Sequence, residues 1–130
     1  MGVPVERFWN DPLPVEDLLL VDLPGLELHN AKALAALRDH VMALPRPHVH
    51  LVLNAAYDVS ILFEQFHQFM ALAPEDIIFT HIDEERRRVK LWNFVFGTNC
   101  SIRFLSAGQK IPGDFFRADS LLLFPHENHR

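Results

Sequence analysis

A run of apolar residues near the middle of the chain ends abruptly in polar and acidic ones. The stretch Asp76–Glu85 reads Asp-Ile-Ile-Phe-Thr-His-Ile-Asp-Glu-Glu. Continuous apolar residues over the length of a strand are typical of a buried parallel strand. The polar residues that follow predict that the carboxyl end of this strand opens into a ligand crevice, and that a helix comes next.

Short apolar runs and helical spacings alternate along most of the chain. Strands are predicted over Gly2–Trp9 (an edge strand), Asp17–Asp22, His48–Asn54, Ile77–Thr80 and Cys100–Leu105. Helices are predicted from Asn30 to Leu44, over Val59–Met70 and over Glu85–Phe96, with a turn and a short helix over Pro112–Phe124. The order β-β-α-β-α-β-α-β indicates one α/β domain, a three-layer, mostly parallel sheet of about five strands with crossover helices.

The bulk composition limits the class of protein. The 130 residues are 49% apolar and 22% charged, which is typical of a single soluble globular domain. A net charge of −5 argues against a surface for nucleic acid or anionic lipid. The single cysteine, Cys100, excludes an internal disulfide, and we expect it to be a core residue. No apolar run has the length of a membrane span and no signal peptide is evident, so a cytoplasmic location is expected.

Asp83 follows the strand Ile77–Thr80 at the position where open α/β sheets bind ligands. An exposed carboxylate there can accept two parallel N–H donors, such as those on the N1 and N2 edge of guanine. The alternative is that Asp83 caps the helix predicted to begin near Glu85, because aspartate is a favoured cap. The residues alone leave both interpretations open.

Three strand ends carry polar signals at the same edge of the predicted sheet. They are Asp22-Leu23-Pro24-Gly25, Thr80-His81-Ile82-Asp83 and Ser106-Ala107-Gly108-Gln109. Their order and spacing resemble the third, fourth and fifth guanine-nucleotide motifs of the signal-recognition-particle (SRP) type GTPases, and within them the flagellar, FlhF-like branch. The resemblance covers most of the chain and implies the C-terminal half of a GTPase (G) domain, with a P-loop NTPase-like fold.

The resemblance implies a guanine-binding role for the two later strand ends. Asp83 would accept the N1 and N2 protons of the base, and Thr80 would steady its loop by hydrogen bonding. Backbone groups of Ala107 and Gly108 would approach the base, because small side chains permit close contact. The other residues of the implied site are His81 beside the base and Ser106, Gln109 and Asp114 in the last loop.

The first strand end would serve the phosphates. By the resemblance, Asp22 would hold Mg²⁺ through a water molecule, only when a nucleotide is bound, and the Gly25 N–H would meet the γ-phosphate. The implied ligands are therefore GTP or GDP with Mg²⁺, bound weakly or not at all by this chain alone.

The chain also departs from the family pattern. His81 stands where the family has a lysine, so the affinity for guanine should fall. Arg86-Arg87-Arg88 stands where the family usually has small residues, which in the family pack on a neighbouring domain. No stretch matches Gly-x-x-x-x-Gly-Lys-[Ser/Thr], whose strand in the family lies upstream and in the middle of the sheet. We expect no GTP hydrolysis by this chain alone, and either a second polypeptide that supplies the missing half or a sheet that has closed the gap.

The resemblance implies an SRP-type G domain or a second copy of this chain as the partner, in flagellar placement or membrane protein targeting. Contact with the membrane would at most be peripheral and made through partners. The alternative is a non-enzymatic interaction module that keeps the fold and binds no nucleotide. Aromatic residues that spread beyond one stripe of the predicted helices favour association in either case.

The chain has eight histidines. His48 and His50 project from one face of a predicted strand, and His126 and His129 lie three apart near the end of the chain. A metal site would need a third ligand in suitable geometry, which the spacing does not supply. We therefore interpret these residues as surface or edge histidines.

Overall fold

A computed structural model describes residues 18–118. Its helices are α1 (Ala31–Met42), α2 (Val59–Phe69), which continues into a 3-10 turn (Met70–Leu72), and α3 (Val89–Thr98). Its strands are β1 (His50–Asn54), β2 (Asp76–Thr80), β3 (Ser101–Ser106) and β4 (Phe115–Arg117). The strands form one sheet in the order β1-β2-β3-β4, in which β1, β2 and β3 are parallel and β4 is antiparallel. The predicted mostly parallel α/β sheet is confirmed.

The core lies between one face of the sheet and helices α2 and α3. Alternate strand residues point into it, because successive side chains of a strand face opposite sides. These residues are Leu51, Leu53, Ile77, Phe79 and Leu105, and the helices add Leu62, Phe66, Leu91 and Phe94. The Phe94 ring lies 5.1 Å from that of Phe63, 5.5 Å from that of Phe66 and 5.6 Å from that of Phe79. Phe94 therefore joins both helices to the central strand.

The opposite face of the sheet is partly open in the described residues. Val52 is 58% exposed although its strand neighbours Leu51 and Leu53 are buried. Ile78 lies beside Val52 in the register, and Phe104 beside Ile78. In a three-layer sheet a helix would cover these residues, but α2 and α3 both pack on the Leu51 face. An apolar sheet face is thus left accessible.

The strand predicted over Asp17–Asp22 is wrong for its described part. Residues 18–27 have no regular structure, and Leu18 and Leu20 are 76% and 84% exposed. An apolar run predicts burial, but a strand also needs a neighbour for its backbone hydrogen bonds. β1 ends the described sheet, and this segment does not pair with it. The strand predicted over Gly2–Trp9 lies outside the described residues.

The predictions for the later part of the chain are corrected in part. The helix predicted from Glu85 begins at Val89, so the arginines of Arg86–Arg88 precede it. Of the turn and short helix predicted over Pro112–Phe124, the turn is present over residues 111–114, and Phe115–Arg117 form the strand β4, which pairs with β3; the rest of that range lies outside the described residues. A sequence of two phenylalanines and an arginine suits an edge strand when a neighbouring strand is available. Residues from 119 onward are not described.

The aromatic cluster predicts a strong effect of truncation at Phe94. Phe94→Ala removes a fully buried ring, and we expect it to lower the free energy of unfolding by about 3–5 kcal/mol. Phe96→Ala is the matched control on the same helix, because Phe96 is 77% exposed. We expect its effect to stay within about 0.5 kcal/mol. Urea unfolding followed by circular dichroism measures both, and equal effects would contradict this packing.

Candidate functional site

The carboxyl end of β2 continues into a tight turn that presents Asp83. The Ala55 N–H donates to the Thr80 carbonyl at 3.0 Å, and the Glu84 N–H donates to the His81 carbonyl at 3.0 Å. The Thr80 hydroxyl donates to the Leu53 carbonyl at 3.4 Å and lies 2.8 Å from His81 Nδ1. Ile82 is buried in this turn, whereas Asp83 is exposed at its tip. The turn thus fixes the backbone and leaves the Asp83 carboxylate free to meet a ligand.

Asp83 does not cap the following helix. The residue at the N-cap position of α3 is Arg88, which makes no side-chain capping bond. The acidic residue that organises this segment is Glu85, which is buried, pairs with Lys90 and accepts a hydrogen bond from the Arg87 N–H at 2.5 Å. Lys90 also donates to the Tyr57 carbonyl at 2.8 Å. Glu85 therefore ties the Asp83 turn to α3 and to the loop after β1.

The pKa of Glu85 reflects these contacts. Burial by itself would raise the pKa, but the hydrogen bonds from Lys90 and from the Arg87 N–H outweigh it and hold the pKa below its usual range. The carboxylate is consequently ionised at neutral pH, as its pairing with Lys90 requires.

A second loop follows β3 and is closed by Asp114. The Ala107 N–H donates to the Asp114 carbonyl at 2.8 Å, and the Lys110 N–H donates to Asp114 Oδ2 at 2.9 Å. Gly108 lies against the same carboxylate, because a Cβ at this position would come within 2.5 Å of Asp114 Oδ2. This gives Gly108 a packing reason to be glycine, in addition to the close approach to a base expected from the sequence.

The two loops lie side by side at one edge of the sheet. β2 and β3 are neighbouring parallel strands, and the Ile82 N–H donates to the Ser106 carbonyl at 3.2 Å. The structure therefore brings Thr80, His81 and Asp83 together with the loop Ser106–Gln109. We call these two loops, Thr80–Glu85 and Ser106–Asp114, the rim.

Asp22 and Gly25 are not joined to the rim by any hydrogen bond or ion pair of residues 18–118. Both are exposed, and a Cβ on Gly25 would meet nothing within 4 Å. The segment they belong to is held further along, where the His29 N–H donates to Gln68 Oε1 at 2.8 Å. The roles of these two residues toward Mg²⁺ and a γ-phosphate therefore stay predictions.

A cavity of about 370 Å³ lies elsewhere, between the start of α1 and helix α2. It is lined by His29, Asn30, Ala31, Leu34, Glu64, His67 and Gln68. None of the residues expected to bind a nucleotide lines it. The rim is therefore not part of the wall of this cavity.

Cys100 is partly buried and packs against the core. Burial, helped by the negative charge of Asp76, raises the pKa of its thiol. The thiol therefore stays protonated at neutral pH, as suits the core residue expected from the sequence and not a nucleophile.

The opposite edge of the sheet holds a cluster of polar side chains whose contacts were not predicted from the sequence. Asp76, the first residue of β2, is buried and contacts His50, and Arg103 Nε donates to its Oδ2 at 2.5 Å. Burial by itself would raise the pKa of Asp76, but the hydrogen bonds from His50 and Arg103 outweigh it and lower the pKa. Aligning β1 with β2 in parallel would have indicated the pairing of His50 with Asp76.

The sheet and its strand order are those of a mostly parallel α/β fold, with the rim at the carboxyl edge of the parallel strands. A crystal structure of FlhF complexed with GTP and Mg²⁺ is similar in fold, with a TM-score of 0.67 and 20% identity. The similarity covers 76% of this chain and 38% of that one.

Curated FlhF sequences are also similar to this chain. The flagellar biosynthesis protein FlhF of Helicobacter pylori strain J99 is 29% identical over 98 residues, 75% of this chain. FlhF of Campylobacter jejuni is 29% identical over 105 residues, 80% of this chain. The predicted resemblance to the FlhF-like SRP-type GTPases is thus confirmed.

The chain spans 22% of the length of each of these two FlhF sequences. No protein-family model matches it. Among residues 18–118, no helix is both long enough and apolar enough to cross a bilayer.

The Glu85 contacts generate a prediction about stability and pH. Glu85→Gln leaves Lys90 without its buried counter-charge, and we expect a loss of about 1–3 kcal/mol in the free energy of unfolding at pH 7. The exposed neighbour supplies a control, Glu84→Gln, for which we expect less than about 0.5 kcal/mol.

The sign of the pH dependence follows from the lowered pKa of Glu85. The folded state favours the ionised carboxylate, so its stabilising effect is complete above the unfolded pKa of about 4.3 and is lost as pH falls through the lower folded pKa. The stability difference between wild type and Glu85→Gln should therefore shrink below about pH 4. Urea midpoints measured between pH 7 and pH 3 test this, and a difference that grows on acidification would refute it.

Proposed function

We propose that this chain supplies the base-recognition part of an FlhF-type guanine-nucleotide site. One observation carries the proposal: the exposed Asp83 carboxylate lies on a fixed turn directly beside the Ser106–Gln109 loop, at the carboxyl edge of parallel strands. That edge is where open α/β sheets bind ligands. The FlhF of similar fold is a complex with GTP and Mg²⁺, which makes guanine the base to test.

The chemistry of the rim suits guanine better than adenine. A carboxylate only accepts hydrogen bonds, and the N1 and N2 edge of guanine offers two donors in parallel. The Ala107 N–H already donates to Asp114, so the backbone of Gly108 is the better candidate to approach the base. His81, with a φ of 58°, lies at the start of the Asp83 turn and can stack on the base.

Phosphate binding and hydrolysis are not provided by these residues. The 130 residues contain no Gly-x-x-x-x-Gly-Lys-[Ser/Thr] sequence, the motif whose backbone amides and lysine cradle phosphates. Asp22 and Gly25 make no contact with the rim among the described hydrogen bonds. We therefore propose weak binding of GTP or GDP, with Mg²⁺ entering only alongside the nucleotide, and no hydrolysis by this chain alone. The biological setting would be flagellar placement or membrane protein targeting, at most peripheral to the membrane.

Base discrimination tests the proposal. Calorimetry should show GDP binding more tightly than ADP, and Asp83→Asn should abolish the difference because an amide cannot accept both protons. Glu84→Gln, at the adjacent exposed carboxylate, should leave the preference intact. Equal affinity for GDP and ADP in the wild type would refute guanine recognition.

A second candidate function is that of an interaction module without nucleotide. The open apolar face of the sheet favours it, because Val52 is 58% exposed and Phe115, at 38%, stacks its ring on that of Phe104 at 5.0 Å. The outer edge of β1 also has no strand partner within residues 18–118, and open edges invite pairing with another chain. The partner that fits both features is a second copy or a related G domain.

Self-association is the corresponding prediction. Light scattering coupled to gel filtration should show a dimer whose fraction rises with protein concentration. Val52→Lys places a charge on the open face and should shift the equilibrium toward monomer by at least about tenfold, since one desolvated charge costs more than 1.4 kcal/mol. Ile61→Lys, at an exposed site on helix α2, is the matched control and should leave the monomer–dimer equilibrium unchanged. A monomer at every concentration would rule out association of copies.

A further inference from the structure

Three potential metal ligands converge at the amino edge of the sheet, opposite the rim. One nitrogen or oxygen atom from each of His48, His50 and Asp76 lies within 4.8 Å of the others. His48 Nε2 is 3.7 Å from Asp76 Oδ2, and His50 Nδ1 contacts Asp76 Oδ1. The centres of the two imidazole rings are 4.7 Å apart.

The strand register produces this convergence. His50 and Asp76 are partners in the parallel pairing of β1 with β2. His48 precedes His50 by two residues, and residues two apart along an extended chain point to the same side. The third ligand that the sequence spacing did not supply thus comes from the neighbouring strand, 26 residues further along the chain than His50.

Burial and accessibility both suit a site for a metal ion. Asp76 is buried, and a buried carboxylate needs cationic or hydrogen-bonding partners on both oxygens. Arg103 donates to Oδ2, and His50 contacts Oδ1. The imidazoles of His48 and His50 are 48% and 38% exposed, so an ion from solution can reach them.

We propose that His48, His50 and Asp76 bind a zinc-class divalent ion. Two imidazole nitrogens and one carboxylate oxygen are a donor set that zinc accepts, with a fourth position left for water. Glu75 Oε2, 3.1 Å from His48 Nε2, can take that position instead. The ion replaces the direct contact between His50 and Asp76, and Arg103 stays on the other carboxylate oxygen as the outer-shell group that orients it.

The site is independent of the guanine rim and has a structural consequence. An ion held by both strands would join the start of β1 to the start of β2, at the end of the sheet where β1 has no other neighbour within the described residues. Zinc should therefore raise the thermal midpoint of unfolding, because a ligand that binds only the folded state stabilises it.

Zinc competition against a chromophoric chelator tests the proposal on the full chain without a histidine tag. We expect one zinc ion per chain, and a loss of more than about 100-fold in affinity in each of the variants His48→Gln and His50→Gln, since even outer-shell changes cost 10- to 100-fold. Cobalt should give visible d–d absorption that both variants lose. Circular dichroism checks that His48→Gln and His50→Gln, whose side chains are exposed, keep the fold. Asp76→Asn is not used, because Asp76 is buried and its loss can disturb the fold.

Two controls separate this site from other histidines. His29→Asn removes an exposed histidine outside the cluster, and asparagine tolerates the positive φ of 67° at that position. The double variant His126→Ala/His129→Ala removes the pair near the end of the chain. Both should bind zinc like the wild type. Zinc affinity that survives His48→Gln and His50→Gln, or that disappears only with the His126/His129 pair, would overturn the proposal, as would no binding at 100 µM zinc.

Discussion

The parallel pairing of β2 with both of its neighbours is the constraint on which the rest of the structure depends. β2 is aligned with β1 over His50–Asn54 and with β3 on its other side. Because all three strands run the same way, their carboxyl ends meet at one edge and their amino ends at the other. The rim and the histidine–aspartate cluster are the two products of this alignment. Helices α2 and α3 stabilise it by packing Leu62, Phe66 and Phe94 on one face.

The two ends of β2 show how environment gives carboxylates different uses. Asp76 is buried, and its charge is compensated by Arg103 and His50, which makes it a fixed part of the sheet. Asp83 is exposed on a turn that Glu85 stabilises through hydrogen bonds with the backbone of Ile82 and Arg87. A buried, compensated carboxylate can orient a cation, whereas an exposed one on a rigid turn can meet a neutral donor pair. The placement of the charges, more than their number, distinguishes the two edges.

Much of the local structure could be predicted from the sequence. The side chain of Asn30 accepts a hydrogen bond from the Ala33 N–H at the start of α1, as expected for a cap. The apolar run Ile77–Phe79 became the central strand, because Ile77 and Phe79 are buried in the core and Ile78 is partly buried on the opposite face. The family resemblance, based on the strand ends, led to the same neighbours that the fold and the curated sequences give.

The structural features that were predicted wrongly, or not predicted, depend on contacts that the local sequence pattern does not show. Leu18–Val21 is as apolar as a core strand, yet no described strand pairs with it, and pairing cannot be deduced from composition. The start of α3 moved to Val89 because Glu85 is used in a turn and an ion pair. Asp76 was not predicted as a ligand beside His50, because the two residues are neighbours only through the register of β1 with β2. Spacing along one strand does not reveal that register. The ligand roles of the rim residues stay predictions.

The binding of guanine at the rim is tested most directly by nuclear magnetic resonance of the ¹⁵N-labelled chain during titration with GDP and, separately, ADP. Amide resonances of residues 80–85 and 106–110 should shift with GDP and much less with ADP, while those around His50 and Asp76 stay in place. Shifts of equal size with both nucleotides, or GDP-induced shifts confined to residues outside the rim, would contradict guanine recognition by this edge of the sheet.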